Sequence, residues 1–226
     1  AATFAHGMDP SIRRQFTMES LSRGPVNPTS MTYGIPVPPG ETKGDTYWAK
    51  AWYMAEVRLK DGKMIEGFQV KYDLLNNELH FKVQNQIKYL KADQVLAFVW
   101  RDTVGSDHFF INTNELRLSN LLTEQLVEVL HDGNLKLVKR MYTVVKDPDY
   151  NLALNTGSRD TKIFQKSELL LLDKGDAVRI KNSKDLIKQF PDQADALKTY
   201  MKENDLGNSE YDLIQCVAFL DTKHQL

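Results

Sequence analysis

The stretch from Val57 to Trp100 constrains the fold most strongly, because its apolar and polar residues alternate almost without exception. Alternation with a period of two is typical of strands that bury one face and expose the other. Turn-forming residues interrupt the run at Asp61-Gly62, Asn76-Asn77 and Gln84-Asn85. A slip of one residue would move every apolar side chain of a strand to the wrong face, so the pattern also sets the register. The sequence therefore predicts a meander of antiparallel strands.

The apolar face of this meander is drawn from successive strands. It comprises Val57 and Leu59, then Phe68, Val70 and Tyr72, then Leu79, Phe81 and Val83, then Ile87, Tyr89 and Leu90, and finally Val95, Phe98 and Trp100. The intervening Gln69, Lys71, His80 and Lys82 are predicted to be solvated polar groups. At Asp61-Gly62 we expect a type I′ turn, whose central positions both take positive φ. Function is therefore expected on the loops, the N-terminal arm or a sheet edge.

Two later hairpins repeat this pattern. The first turns at Asp132-Gly133 within LVEVLHDGNLKLVKR, and the second turns at Lys174-Gly175-Asp176 within IFQKSELLLLDKGDAVRIK. Ahead of them, Phe109 to Ile111 predicts a short strand, and Glu115 to Leu122 predicts a loop or a helical turn. The hairpins are unequally spaced, which excludes a periodic repeat protein.

From Asn182 the apolar spacing changes from that of a strand to that of a helix. Asn182 or Ser183 is expected to cap a first helix, and Asp192 a second. Ser209 with Asp212 forms an approximate capping box for a third helix. Cys216, which is the only cysteine, lies on the apolar part of that helix and is predicted to be a buried, unreactive thiol.

These patterns predict an α+β protein with a mainly antiparallel, sandwich- or barrel-like sheet and C-terminal helices. Residues 1–45 are predicted to form an extended Pro/Gly-rich arm over the folded body, or a mobile tail, because they hold too little apolar surface to offset the entropy of ordering. Residues 46–181 form the β-rich domain, and residues 182–226 form a helical segment docked on the sheet. Aromatic residues at the start of the sheet are expected to anchor its first strand, with a sugar-binding platform as the alternative; these are Tyr47, Trp48, Trp52 and Tyr53.

Composition limits the function classes. Lys and Arg number 29 against 30 Asp and Glu, a balance that lacks the broad positive charge of a non-specific nucleic-acid binder. No apolar run in the sequence approaches the roughly 20 residues of a transmembrane helix. The small residues that open the chain, AATFAHGMDP, are typical of the mature side of a signal-peptide cleavage site, so we expect export.

Several segments, taken in order, resemble an uncharacterised family of exported proteins common in Bacteroidetes. They are TYWAKAW, VRLKDGKMIEGFQVKYDLLNNELHFK, EVLHDGNLKLVKR, DPDYNLALNTGSRDTK and IKNSKDLIKQFPDQADALKTYMKENDLGNSEYDLIQCVAFLD. The resemblance covers about residues 45 to 220. It implies a periplasmic or outer-membrane-associated location and a β-rich body with a helical C-terminus. It implies no activity and no catalytic residues.

The histidines offer little catalytic or metal-binding chemistry. Ser106, Asp107 and His108 are adjacent in sequence, and adjacent side chains of an extended chain point in different directions, so a polar turn is favoured over a hydrolytic triad. His131 could join His108 and Asp107 in a metal site only if their two loops met. We therefore predict no metal, no cofactor and no catalytic residue.

The loop that ends in Thr156, Gly157, Ser158 and Arg159 is the best candidate contact for a small anion or a partner. Successive backbone N–H groups around a glycine can cradle a phosphate or a carboxylate, and a guanidinium can add charge. A plain surface turn is the alternative interpretation.

Together these observations lead to a functional hypothesis. We expect a non-enzymatic cell-envelope or surface protein that acts through protein–protein interaction, for example as an accessory subunit of an outer-membrane-associated complex. The alternative is a small-ligand carrier that uses the interior of a barrel-like sheet. A hydrolase with an unrecognised site is the third hypothesis.

Overall fold

The computed structural model describes residues 40–116 and 123–224 of the chain. Residues 1–39 of the predicted arm, and 117–122 of the predicted loop or helical turn, lie outside the described residues. Within the described ranges the chain forms a large mixed sheet followed by helices, which confirms the predicted α+β class.

In the part of the chain that the structure describes, eleven strands build one sheet. They are β1 (Thr42–Lys43), β2 (Tyr53–Leu59), β3 (Met64–Asp73), β4 (Glu78–Val83), β5 (Gln86–Lys91), β6 (Val95–Arg101), β7 (Asp107–Asn112), β8 (Leu126–Asp132), β9 (Lys136–Lys146), β10 (Thr161–Asp173) and β11 (Asp176–Ile180). The α-helices are α1 (Ser183–Gln189), α2 (Ala194–Glu203) and α3 (Glu210–His224), and short 3₁₀ turns occupy Ala92–Gln94, Thr113–Leu116 and Pro191–Gln193.

The strand order is β1-β10-β9-β8-β7-β6-β2-β3-β4-β5, and β11 pairs with β10. The β1–β10 pair is parallel. The other strand pairs are antiparallel, as the meander pattern predicts. The strand from Phe109 to Ile111 is present as the central part of β7.

The turns follow the predicted positions, although one has a different geometry. Only Gly62 has a positive φ (86°) in the turn between β2 and β3, so the type I′ turn predicted at Asp61-Gly62 is wrong. The Leu59 N–H donates to the Lys63 carbonyl at 2.9 Å, and the left-handed glycine makes the bulge that is usual in a longer hairpin loop. The type I′ pattern occurs instead at Lys174-Gly175, where φ is 49° and 90°.

The segment Thr42–Trp48, here called the closing segment, hydrogen-bonds to two strands that are far apart in the strand order. Within it β1 pairs with β10, and the Gln165 side chain donates to the Tyr47 carbonyl at 2.6 Å. At the C-terminal end of β3 the Leu74 N–H donates to the Thr46 carbonyl at 2.8 Å, next to a bridge between Tyr47 and Asp73. The closing segment therefore links β10 to β3 and completes a barrel-like arrangement.

Aromatic side chains fill the interior face of this curled sheet. Phe98 and Phe110 stack with their ring centroids 4.3 Å apart, and Trp48 contacts Phe110 edge-on at 4.9 Å. Trp100 packs against both phenylalanines, at 5.1 and 4.8 Å. Rings of this size contribute most of the apolar area that a core removes from water. Their positions show that Trp48 anchors the start of the sheet in the core.

The Tyr72 hydroxyl joins three parts of the same core. It donates to Asn77 Oδ1 at 2.7 Å and accepts from the Leu126 N–H at 3.2 Å. Asn77 in turn donates to the Glu124 carbonyl at 2.8 Å. The turn between β3 and β4 is thereby tied to the start of β8 across the interior.

The helices cover a second core cluster. Leu137 and Leu171 of the sheet pack there with Leu213, Val217 and Leu220 of α3. Cys216 is fully buried in the cluster, and burial raises the pKa of its thiol to about 11, as expected for an unreactive cysteine. None of the described helices combines the length and apolar character needed to span a membrane.

The predicted helix caps hold at two of the three helices. Asn182 accepts from the Lys184 and Asp185 N–H groups at the start of α1. Ser209 and Asp212 exchange side-chain-to-backbone bonds of 3.0 and 3.2 Å before α3, which is the predicted capping box. The cap predicted at Asp192 is wrong, because this residue lies in a 3₁₀ turn and Gln193 precedes α2 without a side-chain cap.

Candidate functional site

The loop between β9 and β10, which contains the predicted anion contact, folds onto itself. Asn151 and Thr156 form a small β-bridge, and Gly157 has a φ of 93° with no space for a side chain beside the Asp149 backbone. The Arg159 guanidinium stacks over the Tyr150 ring at 4.1 Å and donates to its hydroxyl at 2.7 Å. The structure therefore brings the predicted residues into one ordered loop.

An internal carboxylate already occupies one backbone donor of this loop. Asp149 accepts from the Ser158 N–H at 2.7 Å and from Lys146 Nζ at 2.7 Å. The lysine hydrogen bond, followed by the Ser158 N–H, lowers the pKa of Asp149 to about 2. Of the four predicted residues, Ser158 thus binds a carboxylate of its own chain, while Thr156 and Arg159 bind other residues of the loop. The loop is exposed from residue 151 to residue 157, and its tip carries two apolar side chains, Leu152 at 65% and Leu154 at 69% exposure.

His108 lies between two carboxylates. Its Nδ1 is 2.5 Å from Glu128 Oε1, and its Nε2 is 3.3 Å from Asp102 Oδ2. Burial lowers the pKa of His108, but the hydrogen bonds to Glu128 and Asp102 outweigh it and raise the pKa above its ordinary value. Asp102 also accepts from the Val104 and Ser106 N–H groups, so the imidazole joins the turn after β6 to β8. This is a structural clamp that holds a hairpin in place.

His131 belongs to a different contact. Its Nε2 lies 3.2 Å from Asp221 Oδ2 on α3, and the other oxygen of Asp221 accepts from the Leu135 N–H at 2.8 Å. Gly133 lies so close to this carboxylate that a Cβ there would overlap it. The two histidines considered for a metal site therefore have separate partners. No group of three metal-ligating side chains is present in residues 40–116 and 123–224.

The outer face of β3 and β4 is less solvated than its polar sequence predicts. The Tyr47 hydroxyl lies 3.1 Å from His80 Nδ1, which gives that histidine a partner from the closing segment. Lys71 Nζ lies 4.7 Å from the Tyr47 ring centroid and 5.4 Å from the Trp52 ring centroid. These cation–π contacts cover the two rings with a lysine. The expectation that His80 and Lys71 are freely solvated is therefore wrong.

The side chains of strand β5 are more exposed than the sequence pattern predicts. The strand lies at the end of the strand order and pairs with β4 alone. Ile87 is 59% exposed and Tyr89 is 67% exposed, although alternation predicts a half-buried strand. Of its residues only Leu90 is partly covered. A strand at a sheet edge lacks the neighbour that would bury its second flank.

The hydrogen-bond phase of the β4–β5 hairpin shows which backbone groups are free. Val83 and Gln86 flank a two-residue turn, and such a turn is closed by a hydrogen-bonded pair. The Ala92 N–H donates to the Asn77 carbonyl at 3.0 Å, so this even-numbered residue, like Gln86, directs its N–H to the β4 side. Even-numbered residues of β5 therefore bond to β4. The residues that direct their N–H and C=O groups to the open edge are Ile87, Tyr89 and Lys91.

The lysines of β4 and β5 are a sequence signal for a sheet edge that the alternation of apolar and polar residues does not reveal. Lys88 and Lys91 interrupt the apolar residues of β5, and Lys82 lies opposite Ile87 on β4. Lysines are frequent on edge strands, because they discourage uncontrolled pairing with other sheets.

Comparisons with known proteins identify no relative of this chain, since no family model, curated protein or solved structure gives a significant match to it. Membership of the exported Bacteroidetes family stays a prediction.

Proposed function

We propose that this chain is an exported, non-enzymatic protein of the cell envelope that acts through protein–protein interaction at the free edge of β5. The observation that carries the proposal is the edge itself. Its outward backbone groups have no partner among the described residues, and two large apolar side chains, Ile87 and Tyr89, project beside them. Addition of a partner strand would satisfy those groups and cover the side chains.

The location in the envelope rests on the sequence resemblance alone. The free edge agrees with an accessory-subunit role, because a protein that docks on a complex needs a surface it does not use in its own fold. The loop tip of Leu152 and Leu154 is a second exposed apolar feature on the same domain. Scattered exposed apolar residues are ordinary, however, so the proposal depends on the strand edge and not on this tip.

The two rival functions receive less support. A carrier needs interior space, and the interior of the curled sheet is occupied by the packed rings of Phe98, Phe110 and Trp100. A hydrolase needs convergent catalytic groups, but His108 and His131 bind different carboxylates in different parts of the sheet.

Crosslinking in the native envelope, followed by affinity purification, tests the proposal. Tyr89→Pro is the informative variant, because Tyr89 directs its N–H to the open edge and proline removes that donor without removing a bond to β4. Tyr89→Thr is the matched control, since it keeps the backbone donor and removes the ring. We expect the wild type and Tyr89→Thr to recover the same crosslinked partner, with less for the threonine variant, and Tyr89→Pro to lose it.

The circular dichroism spectrum and thermal midpoint of Tyr89→Pro must match the wild type, so that loss of partner reports the edge and not unfolding. Recovery of the wild type solely as a free monomer would contradict the proposal. Equal recovery of the partner by Tyr89→Pro would contradict the assignment of the surface to β5.

A further inference from the structure

The charge around the free edge is opposite to the net charge of the chain. The β4–β5 hairpin, residues 78–91, contains three lysines and one glutamate, whereas the whole chain has a net charge of −1. The lysines are Lys82, Lys88 and Lys91, and none of them has an ion-pair partner among the described residues. Glu78 lies opposite Lys91 in the β4–β5 register, and its carboxylate lies 3.4 Å from His80 Nε2. The hairpin therefore carries a net positive charge beside its unpaired backbone groups.

The lysines are placed where an added strand would meet them. Lys88 lies on the interior-facing side of β5, opposite Phe81, and Lys91 lies on the outer side together with Tyr89. A strand paired with β5 would place one residue opposite each of these lysines, at the distance of a cross-strand pair. Carboxylates at those two positions would be attracted, and cations would be repelled.

The same charges disfavour pairing with a second copy of this chain. Two β5 strands placed edge to edge would bring together two sets of the same lysines, and like charges across a strand pair are destabilising. The apolar Ile87 and Tyr89 still favour apolar residues at the positions opposite them. The edge thus combines a barrier to self-association with a preference for a partner of opposite charge.

We propose that the partner of β5 is an extended, acidic segment that joins the sheet as an added strand, with carboxylates opposite Lys88 and Lys91 and apolar residues opposite Ile87 and Tyr89. This inference rests on the proposed function and specifies the partner at the same edge. The backbone hydrogen bonds supply the common part of the affinity, and the lysines supply the discrimination between acidic and basic strands.

The test uses fluorescein-labelled peptides and anisotropy titration with the full chain. The probe is acetyl-Thr-Glu-Val-Val-Glu-Val-Thr-amide, in which two glutamates are spaced like Lys91 and Lys88. One control replaces both glutamates with lysine, and a second keeps them but carries N-methyl groups on alternate backbone nitrogens in the middle of the peptide. We expect the acidic peptide to bind about tenfold or more tightly than the lysine peptide, and more weakly as ionic strength rises. The N-methylated peptide should lose the binding, because it cannot complete the backbone hydrogen bonds.

Charge reversal in the protein provides the matched experiment. In the double variant Lys88→Glu with Lys91→Glu, the preference should invert, so that the lysine peptide binds better than the acidic peptide. Both substitutions lie on an exposed edge strand, and unchanged thermal unfolding would show that the fold is retained. Tyr89→Pro should weaken every peptide.

Three results would overturn the inference. They are equal binding of the acidic and lysine peptides, equal binding of the N-methylated peptide, and dimerisation of the wild type that Tyr89→Pro abolishes. Failure here is distinguishable from failure of the proposed function. If no peptide shows the charge preference but Tyr89→Pro still loses the crosslinked envelope partner, β5 remains the contact surface and only the acidic identity of its partner is rejected.

Discussion

Removal of one hydroxyl, by Tyr72→Phe, should destabilise the sheet by about 2 kcal/mol. Tyr72 is 2% exposed, and the Leu126 residue whose N–H it accepts is fully buried. The substitution keeps the ring and its packing but leaves that N–H without an acceptor, and a buried unsatisfied donor costs about 1–3 kcal/mol. The bond to Asn77 is lost as well, although Asn77 keeps its contact with the Glu124 carbonyl.

Urea unfolding followed by tryptophan fluorescence measures this change, because Trp48 and Trp100 lie in the affected core. For a domain of this size, a loss of about 2 kcal/mol corresponds to a fall in the thermal midpoint of about 4–8 °C. Tyr89→Phe is the control, since the Tyr89 side chain is mostly exposed and its change should stay within about 0.5 kcal/mol. If Tyr72→Phe unfolds at the same urea concentration as this control, the hydroxyl does not stabilise the link between β3 and β8.

Three further predictions concern the contacts of the histidines and the loop after β9. The raised pKa of His108 means that the stability it contributes is complete below about pH 6.5 and is lost as pH rises through the folded-state pKa. The difference in unfolding free energy between wild type and His108→Gln should therefore shrink between pH 6 and pH 9. A difference that stays constant over this range would refute the prediction. Gly133→Ala should cost about 1–3 kcal/mol through overlap with Asp221, and most of that cost should disappear in an Asp221→Ala background, as a double-mutant cycle by urea unfolding would show. Asp149→Asn should destabilise the local structure of the loop after β9, because the amide lacks the charge that binds Lys146 and the Ser158 N–H. We expect faster thermolysin cleavage in this loop with unchanged global unfolding. An unchanged cleavage rate would contradict the prediction.

Local sequence signals predicted the local parts of this fold. Asn182 caps α1 and Ser209 with Asp212 caps α3, because a cap depends on side chains within a few residues of the helix start. The strand positions also follow from alternation, which reports the two faces of a strand. Asp192 fails as a cap because the preceding Pro191 starts a separate 3₁₀ turn.

Features that depend on strand order could not be read from the same signals. Alternation identifies the faces of a strand but not its neighbours, so it could not show that β5 has a partner on one side only. The Glu128 carboxylate reaches His108 because β7 and β8 are adjacent, although the residues are 20 positions apart. The anion contact predicted at Thr156 to Arg159 stays a prediction, and no periodicity could show that the Ser158 N–H already donates to Asp149.

Because of the closing segment, the sheet can be completed only late in synthesis and folding. The Tyr47 carbonyl of this segment accepts from Gln165, a residue 118 positions further along. The closing segment can pair with β3 early, because the two are close in sequence, but its pairing with β10 has to wait until Gln165 has been synthesised. Closing such a long loop is entropically slow. Any factor that holds this protein before folding therefore has a defined task, which is to shield the closing segment and β10 from other strands until they pair.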